Sequence, residues 1–256
     1  MLILLTNDDG IYAEGLSALF HELSKVAECI IVAPETEQSA VGHAITLYRP
    51  LRVRSARKGG SFLGHAVTGT PADCVKIGIK ELTDRPVDLI ISGINAGANV
   101  GFNMLYSGTV SAATEGAILG VPSMAISLDT RRGQSDFSYA ARFSSRLVTY
   151  LIEKKAFAGL TLNVNIPSLP ENGIKGIAVT KQGAARLVEV FEKRLDPRSN
   201  TYYWLAGETL FPEKESMESD AWALSKGYIS ITPIQHDLTC HTAIGEVRHS
   251  LKDFVL

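Results

Sequence analysis

Five short, largely apolar runs limit what this 256-residue chain can fold into: LILLT (2–6), CIIVAP (29–34), VDLIIS (87–92), SMAISL (123–128) and LTLNVNIP (160–167). The first three are apolar on consecutive positions, which marks a buried parallel strand, and the other two read as further strands. Helical spacing fills the gaps between them. Leu16, Leu19, Phe20 and Leu23 recur on one face. TGTPADCVKIGIKEL opens with Thr70 as a helix cap, Pro71 in the first helical position and Asp73 in the first turn. TVSAATEGAIL (109–119) is a helix of small residues, and 136–155 is an amphipathic helix. Strands alternating with helices predict an α/β fold with a Rossmann-like, doubly wound, mostly parallel sheet. ITLYRPLRVRS and FLGHAV read as further extended segments, the first near an edge because of Pro50.

From about residue 178 the pattern changes. VTKQGAARLVEVFEKRLDPRSNTYYWLAGE mixes polar and aromatic residues in a hairpin-like run. The chain is read as one α/β domain, with residues 1–177 as core and site and 178–256 as an arm-like extension. An arm carrying Tyr202, Tyr203 and Trp204 either folds back on its own core or is covered by a second copy of the chain. The second is the expectation here, as a homodimer or homotetramer.

With 45% hydrophobic and 20% charged residues the chain can bury a large core, and its net charge of −2 argues against wrapping a nucleic-acid polymer. Cys29, Cys74 and Cys240 are far apart, which fits free thiols in a reducing compartment better than disulfides or zinc. MLILL is too short for a signal sequence, and no run approaches the ~18 apolar residues of a membrane span. A soluble, cytoplasmic protein without a membrane partner is expected.

Ligands of open α/β sheets bind beyond the carboxyl ends of the strands. The first strand ends in Asn7-Asp8-Asp9-Gly10, the second in the loop with Glu35, Glu37, Gln38 and Ser39. The third ends in Ser92-Gly93-Ile94-Asn95 and runs on through Asn99 to Ser107-Gly108-Thr109. This inventory is rich in oxygen and holds only His43 as a nitrogen ligand, so it suits Mg²⁺ or Mn²⁺ rather than zinc. Asp8 and Asp9 reach one ion only if the chain turns at Gly10; otherwise the pair is an ordinary turn with solvated charges. Ser107 and Thr109 precede the small-residue helix, whose free N–H groups form a ready phosphate site, although capping alone accounts for a serine or threonine there. Gly93, Gly97 and Gly101 do not make GxGxxG, and no GxxxxGK[ST] occurs, so dinucleotide and P-loop readings lose their support. Asn95 and Asn99 either bind a ligand or satisfy the loop's own backbone. His43 either supports a ligand of the site from behind or faces the substrate; the other five histidines read as structural or surface residues. Glu35 and Glu37 read as a solvated face, and Glu115 has no assignment.

Together TNDDG, APETEQSAVGHAIT, GTPADCV, SGINAGANVG, YSGTVSAATEGAILGVPSMAIS, DPRSNTYYWL and GYISITPIQHDLT resemble the stationary-phase survival protein SurE family, from residue 2 to about 240. These are divalent-metal-dependent 5′- and 3′-nucleotidases, some acting on short polyphosphate. The resemblance implies one metal ion per subunit on Asp8, Asp9, Ser39 and Asn95. It also implies active-site roles for Asn99 and for the Ser107-Gly108-Thr109 turn beside the phosphate of a nucleoside monophosphate. Dimers or tetramers that exchange C-terminal parts are implied as well. Asp8 or Asp9 would receive a proton from the attacking water; a covalent route through Ser107 lacks an evident histidine base. The haloacid-dehalogenase pattern D-x-D is not met, because Asn7 stands where its nucleophilic aspartate would be. A non-enzymatic nucleotide sensor using the same pocket is the alternative from another class.

Overall fold

The computed structural model describes residues 1–131, 136–154, 156, 159–210 and 216–254. The core runs β1 (Leu2–Thr6), α1 (Glu14–Leu23), β2 (Glu28–Pro34), β3 (Val53–Lys58), β4 (Ser61–Val67), α2 (Pro71–Glu81), β5 (Leu89–Ala96), α3 (Gly108–Ile118), β6 (Ser123–Asp129), α4 (Ser138–Glu153) and β7 (Thr161–Pro167). After it come β8 (Ile177–Val179), β9 (Arg186–Leu195), β10 (Thr201–Leu210), α5 (Asp220–Ser225), β11 (Ile229–Pro233) and α6 (Ile244–Ser250).

The main sheet has nine strands in the order β3-β4-β2-β1-β5-β6-β7-β11-β8. From β4 through β7 all neighbours are parallel, with β3 antiparallel at one edge and β11 antiparallel to β7. Successive residues of the central strands go to opposite faces. Ile3, Leu5, Ile31 and Ile91 pack with Leu16, Leu19 and Leu23 of α1 and with Ala140 and Val148 of α4. Leu2, Leu4, Val32 and Ile90 pack with Cys74 and Val75 of α2 and Ala112 of α3. Burial on both faces is why these strands read as unbroken apolar runs; each fully buried leucine of α1 contributes about 1.5–3 kcal/mol. The chain winds one way from β1 through β2 to β4, then returns to β5 on the other side of β1. The switch point therefore lies between β1 and β5, where a crevice opens at the strand ends.

Three details depart from the expected elements. The third apolar strand begins at Leu89 and continues to Ala96, so Asn95 lies in the strand rather than in the loop after it. The β5–β6 ladder shifts between Ser92 and Asn95. There Gly93, at φ +141°, runs so close to β6 that a Cβ would lie 2.3 Å from the Ile126 carbonyl oxygen. ITLYRP is not a strand; its extended part starts at Val53, in the edge strand. The amphipathic helix expected over 136–155 spans Ser138–Glu153, with residue 155 outside the described residues.

Beyond residue 178 the chain divides in two. Residues 229–233 enter the main sheet beside β7, and α5 packs Ala221 and Leu224 against Val100 and Ala185. In contrast, β9 and β10 pair only with each other and form a separate antiparallel hairpin. The three cysteines are free thiols. Among the described residues no helix is long and apolar enough to cross a membrane.

Candidate active site

The turn after β1 is closed by the Asn7 side-chain amide, which donates to the Gly10 carbonyl at 2.9 Å, and Gly10 itself has φ +97°. This bend ends the strand at Thr6 and lets two adjacent carboxylates share one end of the sheet. Asp8 is buried, and Asp9 is partly so. The Asp8 carboxylate accepts a hydrogen bond from the Thr109 hydroxyl, and the Gly108 and Thr109 N–H groups at the start of α3 lower its pKa. Gly108 is required by this packing, since a Cβ there would sit 2.8 Å from Asp8 Cβ. The Ala96 N–H, next to Asn95, pulls the Asp9 pKa down.

Both carboxyls are raised above the ordinary aspartate range. Burial pushes Asp8 up against the pull of its α3 donors. Burial, then the Asp8 charge and more weakly Glu37, push Asp9 up to about 6. The loop after β2 joins the same cluster through its backbone: Gln38 N–H donates to the Asp8 carbonyl at 2.7 Å. Ser39 is exposed and donates its hydroxyl proton to Glu37 at 2.5 Å. Asn95 donates to the Gly97 carbonyl at 2.8 Å through its amide nitrogen, which leaves its amide oxygen as an acceptor.

The α3 start is arranged differently from the expected open phosphate cradle. The Ser107 hydroxyl caps the helix, accepting from the Val110 N–H at 3.1 Å. Gly108 and Thr109 already serve an anion, the Asp8 carboxylate. The helix end that attracts anions has drawn in the nearest one. Asn99 is buried and gives one amide N–H to Ser127 at 2.9 Å. Its backbone is clamped by β7: its N–H donates to Asn165 Oδ1 at 2.8 Å, and its carbonyl accepts from Asn163 and Asn165.

Sequence reasoning missed Asn163, Asn165 and Asp220. Asp220 holds the same loop from the other side, accepting from Gly101 N–H and Gly183 N–H, each at 2.9 Å. A usable signal was present in LTLNVNIP, where two asparagines two apart fall on one face of a buried strand. Glu115 proves to be buried, paired with Lys76 at 2.6 Å and with His43 at 2.8 Å. His43 thus ties the Ser39 loop to α3.

The site fits a hard divalent cation by the chemistry of its donors. Two adjacent carboxylates, Asp8 buried and Asp9 partly so, stand side by side at the strand end. Buried oxygens of Thr6, Asn7 and Ser92, at the same two strand ends, have no hydrogen-bond partner among the described residues. Among those residues no three His, Cys, Asp or Glu side chains gather as a metal site, so the hydroxyl of Ser39 and the amide of Asn95 would complete an oxygen set.

Residues 3–189 match the model of a family described as survival protein SurE. The chain is 64% identical to the 5′-nucleotidase SurE of Syntrophus aciditrophicus over 95% of this chain and 91% of that one. It is 51% identical to the 5′-nucleotidase SurE of Syntrophobacter fumaroxidans, over 95% of this chain and 97% of that one. The crystal structure of the SurE protein from Aquifex aeolicus superposes with a TM-score of 0.83 at 38% identity, covering 99% of this chain and all of that one.

Proposed function

The chain belongs to the survival protein SurE family, and from that premise we propose that it is a divalent-metal-dependent 5′-nucleotidase. Its reaction is hydrolysis of a nucleoside monophosphate to nucleoside and phosphate, with 3′-monophosphates and short polyphosphate as further substrates. The observation that carries this reading is the adjacent Asp8–Asp9 pair at the switch point, with Asp8 buried and joined to the start of α3 through Thr109.

Asp8, Asp9, Ser39 and Asn95 would hold one Mg²⁺ or Mn²⁺ ion. When bound, such an ion supplies Lewis-acid stabilisation of a phosphoryl oxygen and a more acidic water. The remaining work falls to the chain. The positive end of α3 faces the phosphoryl group beside the Asp8 carboxylate and stabilises charge that grows in the transition state. Asn99 keeps one amide N–H beyond its bond to Ser127 and turns it to the same phosphoryl group. One of the two carboxylates takes the proton of the attacking water. Ser107 acts by capping α3 and so orienting those donors. The β9–β10 hairpin joins copies of the chain into a homodimer or homotetramer.

Purified protein is expected to release phosphate from AMP with Mg²⁺ or Mn²⁺, and to stop when excess EDTA is added. Turnover that persists in EDTA would sink the metal-dependent reading. Nucleotide binding without phosphate release would replace the enzyme with a sensor.

A further inference from the structure

A cleft of about 780 Å³ runs along the outer face of α3, a size suited to a small organic ligand. We propose that it holds the nucleoside part of the substrate, an inference that rests on the nucleotidase reading above. Its near end adjoins the phosphate end of the site on three separate segments. Met104 and Leu105 stand just before Ser107; Val110 and Ser111 follow Thr109; His43 is on the Ser39 loop and is bonded to Glu115 of the same helix at 2.8 Å. Chain neighbours on both sides of the 107–109 turn thus line the cleft, which puts it next to the place of a phosphoester seated there.

The lining has the chemistry of a base pocket. Met104, Leu105, Val110, Ile118 and Ile234 give apolar walls for the faces of a ring. Ser111 and Thr114 spend their hydroxyl protons on the Ser107 and Val110 carbonyls, at 2.6 and 3.0 Å, so toward the cleft they present acceptors. On the opposite wall, the Gln235 side chain has no hydrogen-bond partner among the described residues and offers both a donor and an acceptor. Apolar walls with a few convergent polar groups recognise a flat heterocycle bearing N–H and C=O edges. Small phosphomonoesters would use only the phosphate end.

The test compares AMP with p-nitrophenyl phosphate in the metal-loaded, full-length protein. Thr114→Trp and Gln235→Trp narrow the cleft from opposite walls. The ratio of kcat/KM for AMP to that for p-nitrophenyl phosphate is expected to fall about tenfold in each. A fall beyond about threefold in either variant supports the assignment; a ratio within about threefold of the parent in both overturns it. Photolabelling of the parent protein with 8-azido-AMP needs no variant to fold. Label in peptides covering 104–118 or 232–238 is expected, and label confined to other peptides overturns the assignment. A parent protein that cleaves p-nitrophenyl phosphate but not AMP would remove the nucleotidase reading and the cleft assignment together, whereas AMP turnover with label elsewhere removes the cleft alone.

Discussion

The switch point and the β9–β10 hairpin invert the ordinary rule of burial in opposite directions. At the switch point, Asp8, Asn99 and Thr109 are buried, and nearby oxygens of Thr6, Asn7 and Ser92 lack partners among the described residues. On the hairpin, Phe191, Leu195, Tyr203 and Trp204 are each more than half exposed. Buried polar groups cost free energy unless something compensates them. Exposed clustered aromatics mark a surface that meets another one. The first region leaves polar groups buried without partners, and the second leaves apolar groups exposed to solvent.

The two regions also differ in how they are held. The loop carrying Asn99 is fixed by β7 through Asn163 and Asn165, and by Asp220 through Gly101. The hairpin is tied at its base, where Asn103 accepts from the Leu187 N–H and donates to the Thr209 hydroxyl, each at 3.0 Å. Rigid placement serves chemistry that tolerates little displacement; a projecting two-stranded ribbon gains most of its stability from what covers it.

The sharpest way to break this contrast is to neutralise the carboxylates. Asp8→Asn and Asp9→Asn should each lower turnover of AMP by more than about a hundredfold, since even outer partners of metal ligands cost 10–100-fold. In EDTA the same variants should be more stable than the parent, because they relieve carboxylates held above their usual pKa. A rise in melting temperature of about 2–4 °C is expected by scanning calorimetry. Stability unchanged or lowered in both would mean that the pair is not strained without a cation.

A smaller effect is expected one layer out. Asn165→Ala removes both a partner for the Asn99 N–H and one for its carbonyl, and should destabilise the protein by about 1–3 kcal/mol in urea unfolding. Its cost to AMP turnover should exceed its cost to metal binding, since Asn165 touches the Asn99 loop and none of the carboxylates. Equal losses in the two would place Asn99 on the metal rather than on the phosphate. The smallest effect on the folded chain should come from the hairpin. Phe191→Lys combined with Trp204→Lys should leave urea stability within about 0.5 kcal/mol at low protein concentration. Self-association should weaken at least about tenfold by light scattering or sedimentation. An unchanged assembly would return the hairpin to the status of a bare surface ribbon.

The sheet was legible because burial on both faces leaves a signal in consecutive residues, as in LILLT and CIIVAP. The strand-end rule also put Asp8 and Thr109 on one edge, where the structure joins them. What sequence order hides is pairing between distant elements. Glu115 has meaning only once Lys76 and His43 are brought to it from another helix and a loop. The use of α3 by Asp8 is likewise a contact across 101 positions. β11 runs antiparallel to β7 and parallel to β8, so both strands at that edge oppose the parallel run, which no local pattern announces.

The most direct test of the central claim is calorimetric titration of the EDTA-stripped protein with Mn²⁺, beside Asp9→Asn under the same conditions. One ion per chain in the parent and a loss of affinity of more than about a hundredfold in the variant are expected. Equal binding by the two proteins would contradict the assignment of the adjacent carboxylates as the metal site.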